Sequence, residues 1–417
     1  MKKRLNQKLI MAVVVLAMLA GAVLSGCGKS GTYATQKNFI TIGCVCPLTG
    51  DLASYGEGTL ETEEAAVAEI NENEGIYIDT LQRKLKIRFI VEDSKSTAEG
   101  AKDAAEYLIE EENVDLVISG SGAESAIAVA KVCESAKVPF FSVNAENGAW
   151  LESGSYDYCF NCSYDNTSRL EALKDVFDEQ GIKTVGLMAV NSPEAEDFAE
   201  SLAAFASKNG LQIANPGYLD PDNPNFAAAA RGLASAKAQA VICFMEAEQF
   251  SALWATDDMK SYAPQMCVLV NNHLFVNDIA DIAHGVDSKE FYTVTSWDKK
   301  YPFESSLTDE DGSVLGLWWE DTFLSSSSEL LGYKHGNVEI AIDAIKLAMA
   351  LEADDVISAA ESLNVDTILG LVDFDQTNTC VLPCSVLKWT YNTATLSWEK
   401  ELVSHAQLGD DVEFDED

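Results

Sequence analysis

Short apolar runs that read as strands alternate with helix patterns twice along this chain, and that alternation limits the fold more than any other property of the sequence. Phe39–Val45 is a strand run, and Gly56–Asn73 follows as a helix with Leu60, Val67 and Ile70 on one face. Lys86–Val91 is the next strand, after which Ser96-Thr97-Ala98-Glu99 forms a capping box opening a helix with Ala101, Ala104, Ala105 and Leu108 in helical spacing. Asp115–Ser119, Glu124–Ser135 and Pro139–Val143 continue as strand, helix and strand. A second series starts near Asp165: helix Asn166–Gln180, strand Thr184–Val190, helix Ala195–Ala206, strand Leu211–Tyr218, helix Phe226–Ala236, strand Ala240–Phe244, a helix from Glu248, and strand Met266–Val270. Strands spaced by helices pair in parallel and need helices over both faces. The end differs, with strand Phe291–Ser296, helices Ser313–Leu331, Asn337–Ala350 and Asp354–Leu363, then a hairpin of Ser385–Tyr391 and Thr395–Leu402 turning at Asn392-Thr393. The pattern predicts an α/β protein of two doubly wound parallel-sheet lobes joined by a multi-strand hinge.

The N-terminus predicts where these lobes work. Lys2, Lys3, Arg4 and Lys8 flank an apolar run from Leu9 to Val23 that ends in Leu24-Ser25-Gly26-Cys27. The run holds about 15 residues, short of the roughly 20 a spanning helix needs. It reads as a lipoprotein signal peptide, residues 1–26, cut before Cys27 so that Cys27 takes the lipid. The mature protein is then expected on the extracytoplasmic face of the cell membrane, lipid-anchored, with residues 27–38 as a small polar tether.

Charge narrows the partners. The chain has 67 Asp and Glu against 28 Lys and Arg, a formal charge of −39, and four of those basic residues lie in the signal segment. Nucleic acid is excluded as a partner on electrostatic grounds. The excess of acid suits a solvated surface, with a cation-attracting cleft as the sharper alternative; residues 409–417 read as an acidic tail. Besides Cys27 there are nine cysteines, an odd number that cannot all pair. Cys133 falls in a helical pattern and Cys243 and Cys267 in apolar strand runs, where free Cys acts as a small hydrophobe, a use that suits an anaerobe. Cys159-x-x-Cys162 has redox or metal spacing but reads as a buried strand, and Cys380 with Cys384 could form a bridge beside Pro383.

From Phe39 to about Trp398 the order of elements resembles the leucine/isoleucine/valine-binding protein family, substrate-binding lipoproteins of ABC transporters with a type I periplasmic-binding fold. The matching residues are Ile42-Gly43 through Pro47-Leu48-Thr49-Gly50, Tyr55-Gly56, Glu92-Asp93, Val138-Pro139-Phe140-Phe141-Ser142, and Gly370-Leu371-Val372-Asp373-Phe374-Asp375. The resemblance implies discontinuous lobes with crossings near Ser163, Ser296 and Asp373. Lobe 1 would take 39–163 and 296–373, and lobe 2 would take 164–295 and the return hairpin 374–408. It also implies ABC permease subunits in the membrane as partners, a small-molecule ligand held between the lobes, and a monomer. A ligand sensor reporting to a membrane receptor shares this fold.

Ligands of open α/β sheets bind beyond the carboxyl ends of strands, where loops and helix N-termini present N–H groups. In lobe 1 this nominates Tyr55 at the end of the loop from Gly50, the Gly/Ser loop with Ser121, Ala123, Glu124 and Ser125, and the trio Asn144, Ala145 and Glu146. In lobe 2 it nominates the loop Asn191 to Glu194, Glu246 with Glu248, and Asn271-Asn272-His273. Tyr55 is an aromatic wall or packs on its own helix, and the Gly/Ser loop is a carboxylate cradle or a plain tight turn. The resemblance implies paired Ser after strand three and Ala-Thr or Ser-Thr after strand four, where this chain has Ala123-Glu124 and Ala145-Glu146. Glu146 would repel a carboxylate and attract an ammonium, which favours an amino-acid-like or amine-bearing ligand over a plain branched-chain one. The four His have no metal spacing, and neither a Gly-x-Ser-x-Gly elbow nor a phosphate loop is present, so no catalytic residue, metal or cofactor is expected.

Overall fold

In the computed structural model, residues 37–120, 122–270, 291–392, 394–395, 397–404 and 406–409 are described. Cys27, the signal segment and nearly all of the tether and tail lie outside them. The apolar strand runs assemble into two seven-stranded sheets. In the first, β1 (Phe39–Cys46) is central and pairs in parallel with β3 (Arg83–Asp93) and β4 (Leu116–Ser119), Cys44 lying between Val91 and Ile118. β5 (Phe140–Val143) and β6 (Cys159–Ser163) extend it on one side, and β2 (Ile76–Ile78) closes the other edge in antiparallel fashion. The second sheet sets β7 (Thr184–Ala189), β8 (Gln212–Ala214), β9 (Ala240–Phe244), β10 (Met266–Leu269) and β11 (Phe291–Thr295) in parallel. The hairpin β15 (Ser385–Asn392) and β16 (Ser397–Leu402) adds to β11 in antiparallel fashion.

The chain passes between sheets after β6, after β11, and through Leu382–Cys384. The third passage comes later than the expectation near Asp373. β12 (Asn364–Thr367) and β13 (Gly370–Asp373) form a separate antiparallel pair, and β14 (Thr379–Val381) then joins β6 in parallel, keeping the chain in the first sheet up to Val381.

Helix boundaries depart from the sequence pattern where tertiary packing decides them. Ser313–Leu331 is two pieces: Gly312–Phe323 stops at Leu324 in the left-handed region (φ 57°), and a new helix runs unbroken from Glu329 to Ala348. That helix crosses Gly332 and Gly336, which cost helix stability in isolation. Here they allow close approach. A Cβ on Gly332 would lie 2.3 Å from the Trp297 ring, and one on Gly336 would lie 2.4 Å from Leu369. The expected strand Leu211–Tyr218 shrinks to β8 because Asn215-Pro216-Gly217 breaks it.

The nine cysteines among the described residues are buried free thiols. Cys159 and Cys162 stand three residues apart on a strand, so they point to opposite faces and cannot act together. Cys380 and Cys384 do not bridge, contrary to the expectation. Cys380 sits opposite Cys162 in the β14–β6 register, while Cys384 lies 3.4 Å from the Ser168 hydroxyl. Beneath helix Thr59–Ala66, Glu63 is 1% exposed beside Cys44, and burial pushes its carboxyl up to about 8. The nearby Lys334, which donates to the Glu57 carbonyl, is held down to about 8 by burial. Glu339, accepting from the Ser306 and Ile368 N–H groups at 2.6 and 3.0 Å, is likewise raised to about 8 by burial.

Two outcomes follow for stability. Gly332→Ala should lower unfolding free energy by about 1–3 kcal/mol in urea titrations, because the ring of Trp297 fills the space. Glu63 ionises near its ordinary value when unfolded but only near pH 8 when folded, so its stabilising effect is complete below about pH 4.5 and is lost as pH rises to 8. Lys334 acts in the opposite sense above pH 8. The urea midpoint should therefore fall between pH 5 and 8, and Glu63→Gln should make that slope shallower by up to about 1.4 kcal/mol per pH unit.

Candidate functional site

Helices that follow the carboxyl ends of strands in both sheets turn their N-termini toward one cleft of about 430 Å³. That size suits a small molecule. On the first-sheet side it is lined by Gly122, Ala123, Asn144, Glu146 and Glu152, and on the second by Ser192, Glu194, Asp197, Phe244 and Glu246. Between them lie Tyr164, Asn166 and Arg169, which follow the passage out of β6.

Local sequence explains these positions. Glu146 caps helix Asn147–Ser153, its Oε2 accepting from the Ala149 N–H at 2.8 Å, so one face of this carboxylate is committed to its own backbone. Ser192 caps Pro193–Asn209 through the Ala195 N–H at 3.1 Å. Glu246 caps Ala247–Ala255 within a capping box shared with Gln249. Asp165 caps Asn166–Glu179, accepting from the Ser168 N–H at 2.6 Å. The helix Ala123–Ala136 differs, since its N-cap is Gly122 at φ 86° with no side-chain acceptor. Its first N–H groups, with the partial positive charge of the dipole, border the cleft instead.

Two buried polar side chains distinguish the interior of the cleft. Asn144 is 1% exposed, adopts φ 77°, and has neither its Oδ1 nor its Nδ2 in a hydrogen bond. A buried amide in that condition is costly unless something enters to satisfy it. Arg169 is 6% exposed, with its guanidinium 4.0 Å over the Tyr164 ring. Burial pushes the Tyr164 hydroxyl up to about 12, so that ring is neutral at physiological pH. Glu146, Glu152, Glu194, Asp197 and Glu246 make the rest of the lining acidic.

Of the residues nominated from sequence, Ala123, Asn144, Glu146, Glu194 and Glu246 come together at this cleft. Tyr55 does not line it and packs half-buried against the core of the first sheet. Glu124 is exposed and faces a groove between helices Ala98–Glu110 and Ala123–Ala136. Ser125 and Ala145 are buried, at 5% and 0% exposure, because they turn inward beneath the helices. Ser121, Asn271, Asn272 and His273 lie outside the described residues, as does the side chain of Glu248. Sequence reasoning missed Tyr164, Asn166, Arg169, Asp197 and Phe244, while Ser192 lies in the nominated loop Asn191 to Glu194. One signal was available for Arg169, which shares a helix face with Leu173 and Val176, where a cation is out of place.

Among the described residues no group of His, Cys, Asp and Glu could hold a metal ion, and no helix is long and apolar enough to cross a membrane. Comparison with known proteins gives the fold and family. No curated protein matches by sequence. The leucine binding protein LivK from Thermotoga maritima superposes with a TM-score of 0.68 at 14% identity, covering 88% of this chain and 99% of that one. The branched-chain amino acid transporter substrate binding protein LivJ from Streptococcus pneumoniae, in complex with isoleucine, gives 0.69 at 17% identity over 88% and 100%. A solute binding protein of an ABC transporter from Rhodopseudomonas palustris, in complex with 3,4-dihydroxybenzoic acid, gives 0.66 at 16% identity over 88% and 97%. These likenesses place the two sheets in the type I periplasmic-binding arrangement. The family model described as periplasmic binding protein matches residues 40–394, and the chain belongs to that family of binding proteins rather than to an enzyme family.

Proposed function

We propose that this chain is the extracytoplasmic, lipid-anchored substrate-binding component of an ABC importer, and that it captures a small amino-acid-like or amine-bearing ligand as a monomer. The observation that carries the ligand class is the cleft itself, where five carboxylates surround the unpaired amide of Asn144. Acids at this density favour a positively charged group and disfavour a free anion. The isoleucine and dihydroxybenzoate complexes of structural relatives support a small polar ligand bearing a carboxylate. The open helix N-terminus at Gly122 supports the same reading. Transfer to permease subunits rests on the ABC transporter relatives, and the lipid anchor rests on Leu24-Ser25-Gly26-Cys27.

A thermal-shift screen of amino acids, amides, short peptides, polyamines and sugars, with native mass spectrometry on the hits, tests the ligand class. A ligand at 100 times its dissociation constant should add about 2.7 kcal/mol of stability. Glu146→Gln keeps an amide oxygen for the Ala149 cap while removing the charge, and should weaken an amine-bearing hit by about 1.5–3 kcal/mol. A sugar as the best hit would contradict the charge argument. For the anchor, Cys27→Ala should move the protein from the membrane fraction to the soluble extracytoplasmic fraction and abolish lipid labelling. Retention with full labelling would assign the lipid to another residue.

A further inference from the structure

Among the described residues, Arg169 is a buried cation that makes no ion pair. It sits in the first turn of helix Asn166–Glu179, 6% exposed, and borders the ligand cleft. Its guanidinium stands over the Tyr164 ring at 4.0 Å, and Nη1 donates to the Asn166 Oδ1 at 3.2 Å. Neither partner is charged. The carboxylates nearby in the fold accept hydrogen bonds from neutral groups. Asp165 caps the Ser168 N–H, Asp197 accepts from the Asn166 amide at 2.6 Å, and Glu329 accepts from the Thr295 hydroxyl at 2.7 Å and from Tyr333 at 3.2 Å. A guanidinium has five N–H donors, and burying one without an anion is expensive unless a ligand supplies it.

Asn144 borders the same cleft with both polar atoms of its side chain unpaired at 1% exposure. The remaining charged lining, Glu146, Glu152, Glu194 and Glu246, is negative. Among the described residues the cleft is thus electrically asymmetric, with a single cation beside the passages between the sheets and acids around it. A polyamine offers the N–H donors of Arg169 no acceptor, and a dianion would meet the acids.

We propose that Arg169 anchors the carboxylate of the ligand, and that the ligand class is a carboxylate-bearing amine rather than a polyamine or a neutral amide. This rests on the amine-selective reading of the cleft given above and adds its polarity: carboxylate toward Arg169, ammonium toward the acids. Arg suits the role because its planar fork can meet both carboxylate oxygens, and its full charge outweighs the partial charge of the helix N-terminus at Gly122.

The test uses the detergent-solubilised full chain and isothermal titration of L-amino acids, each paired with its decarboxylated amine, for example L-lysine with cadaverine and L-leucine with isopentylamine. In the wild type the amino acid that binds should do so at least about tenfold more tightly than its amine. Arg169→Gln should bring the amino acid down to the affinity of the amine while changing the amine by less than about threefold. Arg169→Lys keeps the charge but loses the fork, and should weaken the amino acid alone, which preserves the test if the Gln variant does not fold. Equal affinity of a pair for the wild type overturns the anchor but not the amine-selective cleft. Equal losses for both members of a pair in either variant also overturn it, since they indicate a structural role. If no member of any pair binds the wild type, the reading of the cleft falls and the anchor with it.

Discussion

The lateral pairing of β14 with β6 is the interaction on which the rest of the molecule depends. It brings a strand from near the end of the chain back to the edge of the first sheet, and it sets the first and third passages between sheets side by side. Asn147 fastens the two. Its Nδ2 donates to the Ser163 carbonyl at 3.0 Å and to the Cys380 carbonyl at 3.1 Å, while its Oδ1 accepts from Asn161 at 2.7 Å. This network is buried, where such bonds are strong and their loss is costly. The helix that carries Asn147 is capped by Glu146, so the same short segment braces the passages and borders the cleft.

Much of the fold was legible because parallel strands buried on both faces are written as continuous apolar runs. Phe39–Val45, Ala240–Phe244 and Met266–Val270 could hardly be anything else. What was illegible depended on partners distant in sequence. Gly332 and Gly336 read locally as interruptions, and only Trp297 and Leu369 show why a helix continues through them. β14 is three residues long and means little until β6 lies beside it. The same limit applied to the cleft. Loops after strand ends could be nominated, giving Asn144, Glu146, Glu194 and Glu246, but periodicity does not say which loop residue turns inward, as Ser125 and Ala145 did. Arg169 escaped attention because it lies within a helix beside a passage rather than in a strand-end loop.

The electrostatics separate surface from site. A chain this acidic carries many carboxylates, and five of them border the cleft. The scarce groups are the informative ones. A buried guanidinium that makes no ion pair among the described residues and an unpaired buried amide occur at the same cleft.

The unbridged thiols have a practical consequence. With nine cysteines all sealed inside, the folded chain gains no stability from an oxidising surrounding and loses none in a reducing one. A bulky maleimide dye needs an exposed thiolate, and burial denies it these nine. One cysteine added to the surface of each lobe would therefore be labelled ahead of these nine. Opening and closing could then be followed one molecule at a time, with the interior sulfurs left as nature placed them.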